Sequence, residues 1–177
     1  MELTVTKRDG TRELFNADRI NRSIERACEG MIDPIAKVTQ VATDTKVILY
    51  DGITTEELDL ATINAAVQNI KEDPDYDKIA TRLLLKTVYK HVLGDEGLDK
   101  EALKKLHKEK FPVYIKKNIA EGVFDERMEK NFDLERLASA TDVLKDDMFI
   151  YSGLSSMLHR YSAKDKNQKP AETPQYF

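Results

Sequence analysis

Basic side chains at a short turn near the N-terminus are the first feature of this sequence that could do chemistry. Lys7-Arg8 precede the turn-forming pair Asp9-Gly10, and Arg19 follows in the first turn of a predicted helix. Free amides at a helix N-terminus, together with nearby cations, can bind phosphate oxygens. Glu13 and Asn16 add polar groups that can bind the edge of a base or a ribose. Taken alone, the same residues are also typical of a solvated hairpin edge.

Other motifs that carry chemistry are missing from the sequence. It contains no P-loop, no dinucleotide-binding glycine motif and no nucleophile elbow. Cys28 is the only cysteine, which excludes an intramolecular disulfide, a redox-active cysteine pair and a cysteine-rich zinc site. We expect Cys28 to be a buried thiol. The three histidines are far apart in the sequence, so we expect no metal site. The sequence predicts no catalytic centre.

Composition indicates a globular protein without a nucleic-acid or membrane partner. Of the 177 residues, 41% are hydrophobic and 34% are charged, and the net charge of −4 arises from interleaved acidic and basic residues. Such a surface has no one-sided basic field for nucleic acid. No apolar run is long enough to span a bilayer, and the N-terminus lacks the pattern of a signal peptide. We therefore expect a cytoplasmic protein.

A β-hairpin and four helices are predicted to position the basic residues. Alternation around Val5, the turn at Asp9-Gly10 and the apolar pair Leu14-Phe15 indicate the hairpin. Capping residues and helical periodicity predict four helices: Asn16–Glu29, Asp33–Ile48, Thr54–Ile70 with a capping box, and one from the turn at Pro74 to Gly94. The predicted inner stripe of the second helix is Ile35, Val38, Val41, Ala42 and Ile48.

The pattern predicts a mainly α protein with two domains, residues 1–94 and 95–177. Gly94-Asp95-Glu96-Gly97 is the boundary candidate. The second domain is predicted to hold an irregular set of short helices, near Leu98–Lys108, Pro112–Ala120, Asp133–Thr141 and Gly153–Tyr161. From Ser162 the chain turns polar, yet it ends on aromatic Tyr176-Phe177. We expect a fragment of a longer chain.

Several of these stretches resemble a known regulatory domain, the ATP-cone. Its opening is similar to Val5-Thr6-Lys7-Arg8-Asp9-Gly10 and Phe15-Asn16-Ala17-Asp18-Arg19-Ile20. Its third- and fourth-helix motifs are similar to Tyr50-Asp51-Gly52-Ile53-Thr54-Thr55 and Ile79-Ala80-Thr81-Arg82-Leu83, in the expected order. The resemblance covers about residues 3–94 and implies a four-helix domain capped by a β-hairpin.

The remainder resembles the N-terminal helical region of the large (alpha) subunit of class I ribonucleotide reductases. The similar segments are Phe132-Asp133-Leu134-Glu135-Arg136-Leu137, Asp147-Met148-Phe149-Ile150-Tyr151, Arg160-Tyr161 and Glu172-Thr173-Pro174-Gln175. In that family the chain continues from such a Thr-Pro-Gln segment into the catalytic barrel, which this sequence lacks. The resemblance therefore implies truncation before the barrel.

The resemblance implies allosteric control of overall activity in the pathway that makes deoxyribonucleotides for DNA synthesis. ATP activates and dATP inhibits through altered subunit assembly, and the nucleotide is expected to bind with Mg²⁺. The implied protein partners are the radical-generating small (beta) subunit and further copies of the large subunit. The parent enzyme reduces ribonucleoside diphosphates with a thiyl radical and a redox-active cysteine pair. Cys28 matches none of these cysteines, so we expect this chain to be inactive by itself.

The resemblance implies which residues line the nucleotide site, because each lining position of the family has a matching position in this sequence. Its lining positions are Val5, Lys7, Arg8, Glu13, Phe15, Asn16, Arg19, Ile20, Thr55, Leu58, Asp59 and Lys90. Glu13 and Asn16 suit the base. The positions assigned to the triphosphate are Lys7, Arg8, Arg19, Thr55 and Lys90.

Three positions depart from the family pattern. Arg19 replaces a common lysine, Asp59 stands where relatives often carry a histidine near the ribose, and Lys86 stands where an aromatic is known. Two alternatives remain open. An ATP-cone transcription regulator would need a zinc ribbon ahead of the cone, whereas the cone here starts at Leu3 with no preceding cysteine. A helical interaction module with a degenerate, non-binding cone fits the sequence as well.

Overall fold

The computed structural model describes residues 3–94, 99–165 and 167–177. The fold is mainly α with a small sheet, as predicted. In chain order the elements are β1 (Thr4–Thr6), β2 (Arg12–Leu14), α1 (Ala17–Ala27), α2 (Pro34–Ile48), β3 (Ile53–Thr54), α3 (Thr55–Gln68), α4 (Asp75–Val92), α5 (Lys100–Ala120), α6 (Arg127–Asn131), α7 (Leu134–Ala140), a 3₁₀ helix (Val143–Met148) and α8 (Tyr151–Arg160). The predicted boundary at Asp95-Glu96-Gly97 and the predicted helix start at Leu98 lie outside the described residues.

The predicted hairpin forms, and a third strand joins it. β1 pairs antiparallel with β2 and parallel with β3, which gives the strand order β2-β1-β3. Gly10 closes the turn at a φ of 83°, a backbone region that glycine adopts without strain. The sequence did not predict β3, because a strand of two residues leaves no alternation to detect.

The chain divides into two compact units, one up to Leu84 and one from Leu85 onward, and α4 crosses this division. The core of the first unit is built from one face of each of α1 to α4, together with Val5 and Ile53. Cys28 is buried there, as expected, and burial raises the pKa of its thiol. Asn16 and Thr54 cap α1 and α3 as predicted, the latter in a capping box with Glu57.

The predicted inner stripe of α2 is partly wrong. Val41 and Ala42 are buried, but Ile35 is 78% exposed and Ile48 is 44% exposed. Lys37 lies on the buried face instead, where its ammonium contacts Asp73 at 2.9 Å and Asp75 at 3.1 Å. Lys37 can occupy this face because these two ion pairs compensate the buried charge.

In the second unit, the two short helices expected around residues 98–120 are one continuous helix. α5 runs from Lys100 to Ala120 with Pro112 in its interior. Proline removes one backbone donor and strains a helix, but here the flanking residues Phe111 and Tyr114 are buried in an apolar core that holds the helix together. Tertiary packing therefore overrides the break that Pro112 indicates.

No helix or strand forms after α8 in the described residues, but polar side chains of this segment are buried in the second unit. Glu172 and Thr173 are 4% and 0% exposed. Glu172 accepts a hydrogen bond from the Tyr114 hydroxyl, and the Thr173 hydroxyl lies 2.8 Å from Nε2 of His107. Asp146 on the 3₁₀ helix accepts hydrogen bonds from Tyr89 and Gln175. A segment without periodicity is thus held by specific hydrogen bonds.

Candidate functional site

The sheet brings the basic turn to the N-terminus of α3. In β1, Thr6 pairs with Thr54 of β3, and Thr54 is the N-cap of α3. Because β1 and β3 run parallel, the residues that follow them, Lys7 and Thr55, leave the sheet at the same edge. The Thr6 hydroxyl also donates a hydrogen bond of 2.9 Å to the carbonyl of Gly52.

The Tyr50-Asp51-Gly52 motif fixes this arrangement. One carboxylate oxygen of Asp51 accepts hydrogen bonds from the backbone amide of Thr4 at 2.8 Å and from its hydroxyl at 2.6 Å. Gly52 has a φ of 82°, and a Cβ there would lie 3.3 Å from the Arg12 guanidinium. Asp51 thus holds β1 in place, and the absence of a side chain at Gly52 leaves room for Arg12 of β2.

Glu13 links two of the predicted phosphate-binding cations. Its carboxylate oxygens lie 2.6 Å from Nζ of Lys7 and 2.6 Å from a guanidinium nitrogen of Arg19. The hydrogen bond from Lys7, together with the charges of Lys7 and Arg19, lowers the pKa of Glu13. β2 therefore contributes a carboxylate between a turn residue and the first turn of α1.

Arg8 lies on the other side of the turn, beside α3. Its Nε is 3.5 Å from a carboxylate oxygen of Glu56. Glu57 completes the capping box, and hydrogen bonds from Thr54 and Tyr50 lower its pKa. Thr55 is the first residue of α3 and is half-buried. Glu56 was missed in the sequence; only its position next to Thr55 could have indicated it.

The remaining predicted site residues of the first unit lie in or next to the same elements, β1, α1 and α3. Val5 is buried in the sheet and packs in the core. Asn16 is exposed, and its side-chain oxygen accepts a hydrogen bond of 2.9 Å from Asp18, which leaves the amide group as a donor. Asp59 is half-buried one helical turn after Thr55, on the same face of α3. The other half-buried positions are Phe15, Ile20 and Leu58.

Lys86 and Lys90 lie on the part of α4 that belongs to the second unit, and both are half-buried. Arg82, in the fourth-helix motif, has a structural role within the first unit. Its guanidinium donates hydrogen bonds of 2.8 Å to the carbonyls of Ala27 and Glu29 at the end of α1. This part of the motif therefore holds α1 in place.

Comparison with protein families agrees with this architecture. The family model described as the ATP cone domain matches residues 3–91, half of the chain. The chain belongs to the ATP-cone family. The matched range contains the sheet, α1 to α3, and α4 up to His91, and with them all the residues of the predicted site.

Curated relatives extend the similarity beyond the ATP cone. The chain is 33% identical over 175 residues to the ribonucleoside-diphosphate reductase subunit alpha of Chlamydia muridarum, which covers 98% of this chain and 16% of that protein. It is 30% identical over 176 residues to the Helicobacter pylori protein of the same name, covering 99% of this chain and 21% of the relative. With the Haemophilus influenzae protein of that name it shares 40% identity over 93 residues, 52% of this chain. The chain thus spans about a fifth or less of these relatives.

None of the helices in the described ranges is both long and apolar enough to cross a bilayer. Among the described residues, no group of three or more His, Cys, Asp and Glu side chains could hold a metal ion.

Proposed function

We propose that this chain binds an adenine nucleoside triphosphate at the turn between β1 and β2. The observation that carries the proposal is the parallel pairing of β1 with β3, which places Lys7 and Arg8 beside the N-terminus of α3. Cations next to helix amides form a site for phosphate oxygens. Glu13 on β2 and Asn16 at the N-cap of α1 would supply an acceptor and a donor for the base.

The biological role that we propose follows from the relatives. Nucleotide binding would regulate the overall activity of a ribonucleoside-diphosphate reductase, with ATP activating and dATP inhibiting. The regulated assembly would contain further alpha subunits and the radical-generating beta subunit, and residues 1–94 would form the regulatory domain. Since Cys28 is the sole cysteine of this sequence, we expect the chain by itself to reduce no ribonucleotide, even with a beta subunit and reductant.

The nucleotide is proposed to bind with Mg²⁺, an ion that proteins commonly hold through one or two carboxylates and the substrate phosphates. The carboxylates nearest the turn are already engaged. Asp9, in the turn itself, accepts two hydrogen bonds from Thr11. Glu13 contacts Lys7 and Arg19. Glu56 contacts Arg8, and Glu57 caps α3. This arrangement fits an ion that arrives with the phosphates and is held chiefly by them.

Titration calorimetry of the chain with ATP and dATP tests the proposal. A charge-assisted hydrogen bond is worth about 1.5–3 kcal/mol, so Lys7→Ala is expected to weaken ATP binding roughly tenfold or more. Lys90→Ala is expected to have a similar effect, on the strength of the resemblance alone. Lys71→Ala, at an exposed lysine on the turn after α3, is the matched control and is expected to bind as the parent does. If Lys7→Ala and Lys90→Ala both bind ATP as tightly as the parent does, the site lies elsewhere.

A second candidate function is a helical interaction module whose cone no longer binds nucleotide. The ion pairs favour it, because Lys7, Arg8 and Arg19 each contact a carboxylate of the chain itself. The same calorimetry separates the two functions, since a degenerate cone would release no heat of binding with either nucleotide. A circular dichroism spectrum with the expected helical content would show that such a result reflects a folded protein.

A further inference from the structure

A buried carboxylate joins α4 to the last residues of the sequence. Asp146 is 0% exposed, and each of its oxygens accepts a hydrogen bond from a different part of the chain. Oδ2 accepts one of 2.8 Å from the Tyr89 hydroxyl, near the end of α4. Oδ1 accepts one of 3.0 Å from the side-chain amide of Gln175. Because no part of Asp146 reaches solvent, water cannot replace a lost donor unless the site opens.

One of the two donors belongs to a segment that is docked by side chains, the docked segment (residues 172–177). Its first residues, Glu172 and Thr173, are buried and hydrogen-bond to side chains of α5. The backbone amides of Tyr176 and Phe177 both donate to the carbonyl of Thr173, at 3.0 and 3.3 Å. Hydrogen exchange at these two amides therefore reports whether the segment keeps its turn.

The other donor belongs to α4, the helix that crosses the division between the two units. Tyr89 lies inside the range that matches the ATP cone domain, whereas Asp146 lies outside it. The carbonyl of Tyr89 accepts a hydrogen bond of 2.8 Å from the amide of Leu93, so exchange at Leu93 reports on the last turn of α4. The next residue after Tyr89 is Lys90, a residue of the proposed nucleotide site.

We propose that Asp146 couples the last turn of α4 to the docked segment. Both donors meet on one carboxylate, so a displacement of Tyr89 that shifts Asp146 also changes the bond to Gln175. Coupling of this kind is reciprocal, so the docked segment in turn stabilises the end of α4. The inference deepens the proposed function and rests on it for its ligand, because a nucleotide that holds Lys90 would also hold this turn of α4 and thereby the docked segment.

Amide hydrogen exchange followed by NMR tests the link without a ligand. Tyr89→Phe removes only a hydroxyl and is expected to speed exchange at Tyr176 and Phe177 about tenfold, the effect of losing one hydrogen bond to a charged group. The matched control is Tyr50→Phe, which removes a tyrosine hydroxyl that hydrogen-bonds to Glu57 in the first unit. It is expected to leave exchange at the docked segment unchanged.

Two further variants separate coupling from a general loss of stability. Gln175→Met removes the other donor and is expected to speed exchange at Leu93, in the reverse direction along the link. Leu154→Val shortens a fully buried side chain of α8 and removes neither hydrogen bond of Asp146. It is expected to lower the stability of the second unit with little effect on exchange at the docked segment.

Saturating ATP tests the regulatory use of the link. In the parent, ATP is expected to slow exchange at Tyr176 and Phe177 about fivefold, the lower end of common coupling between sites. In Tyr89→Phe it is expected to leave these rates unchanged, because the connection from α4 to Asp146 is lost. Calorimetry on the same samples shows whether ATP is bound.

Three outcomes would count against these inferences. If Tyr89→Phe speeds exchange at the docked segment no more than Tyr50→Phe or Leu154→Val does, the link through Asp146 is overturned. If ATP binds the parent and does not slow this exchange, the link carries no signal from the nucleotide and the proposal is overturned. If ATP does not bind at all, the proposed function is wrong, while the variants without ligand still decide the link.

Discussion

The charge state of Asp146 gives a prediction about how the stability of the second unit depends on pH. Asp146 is fully buried on the 3₁₀ helix and accepts hydrogen bonds of 2.8 Å from Tyr89 and 3.0 Å from Gln175. Burial raises the pKa of Asp146 from 3.8 to about 6, with the charge of Asp142 acting in the same direction, although the two hydrogen bonds oppose the shift. We therefore expect Asp146→Asn to change the pH profile of unfolding.

The sign follows from proton linkage. Between the unfolded value of 3.8 and the folded value of about 6, the folded protein binds more protons at this group than the unfolded chain does. The contribution of Asp146 to stability therefore falls as the pH rises through this range. A shift of about two pKa units corresponds to about 3 kcal/mol. Asparagine does not titrate, so the free energy of unfolding of the variant lacks this decrease with rising pH.

His107 contributes the opposite slope in the same unit. Burial and the charge of Lys108 lower the pKa of His107 from 6.5 to about 4, so the unfolded chain binds more protons and this contribution to stability rises with pH. The profile of the parent thus combines both slopes. The difference between parent and Asp146→Asn cancels His107 and isolates Asp146.

Urea unfolding followed by circular dichroism at about pH 4 and about pH 7 measures that difference. Between these values the free energy of unfolding of Asp146→Asn is expected to increase by about 2 kcal/mol relative to the parent. This is less than the full value because pH 4 already lies above the unfolded pKa of 3.8. Any constant loss from changed hydrogen bonds drops out of the comparison. Glu109→Gln, at an exposed glutamate of α5, is the control for replacing one carboxylate of the second unit by its amide. If the free energies of unfolding of Asp146→Asn and the parent differ by the same amount at both pH values, the reasoning is refuted.

Two further predictions concern α3. Asp59→Ala is expected to narrow the ratio of ATP to dATP affinity, because an ionised carboxylate accepts a hydrogen bond from the ribose 2′ hydroxyl that dATP lacks. Competition binding with both nucleotides measures this ratio. An unchanged ratio removes Asp59 from this role. Thr54→Ala is expected to lower the free energy of unfolding by about 1 kcal/mol, because the Thr54 hydroxyl accepts a hydrogen bond of 3.1 Å from the Glu57 amide. Thr54→Ser keeps that acceptor and should unfold like the parent; equal stability of all three proteins in urea would contradict the assigned cap.

The sequence by itself determined the elements whose signals are local. Asn16, Asp33 and Thr54 cap the helices that follow them, and each cap bonds to an amide two or three residues away. Helical periodicity likewise placed α4, and Asp9-Gly10 placed the hairpin turn. Such interactions depend on residues close in the chain, so a single sequence contains them in full.

Only the tertiary structure decided which faces and charges meet. β3 forms because β1 lies beside it, and the hydrogen bond between Thr6 and Gly52 joins residues 46 positions apart. Lys37 faces inward because Asp73, just before α4, and Asp75, the first residue of α4, compensate its charge. Glu13 likewise pairs with cations from two other elements, Lys7 of the turn and Arg19 of α1. Pairings of this kind depend on distances in space, which spacing along the chain does not determine.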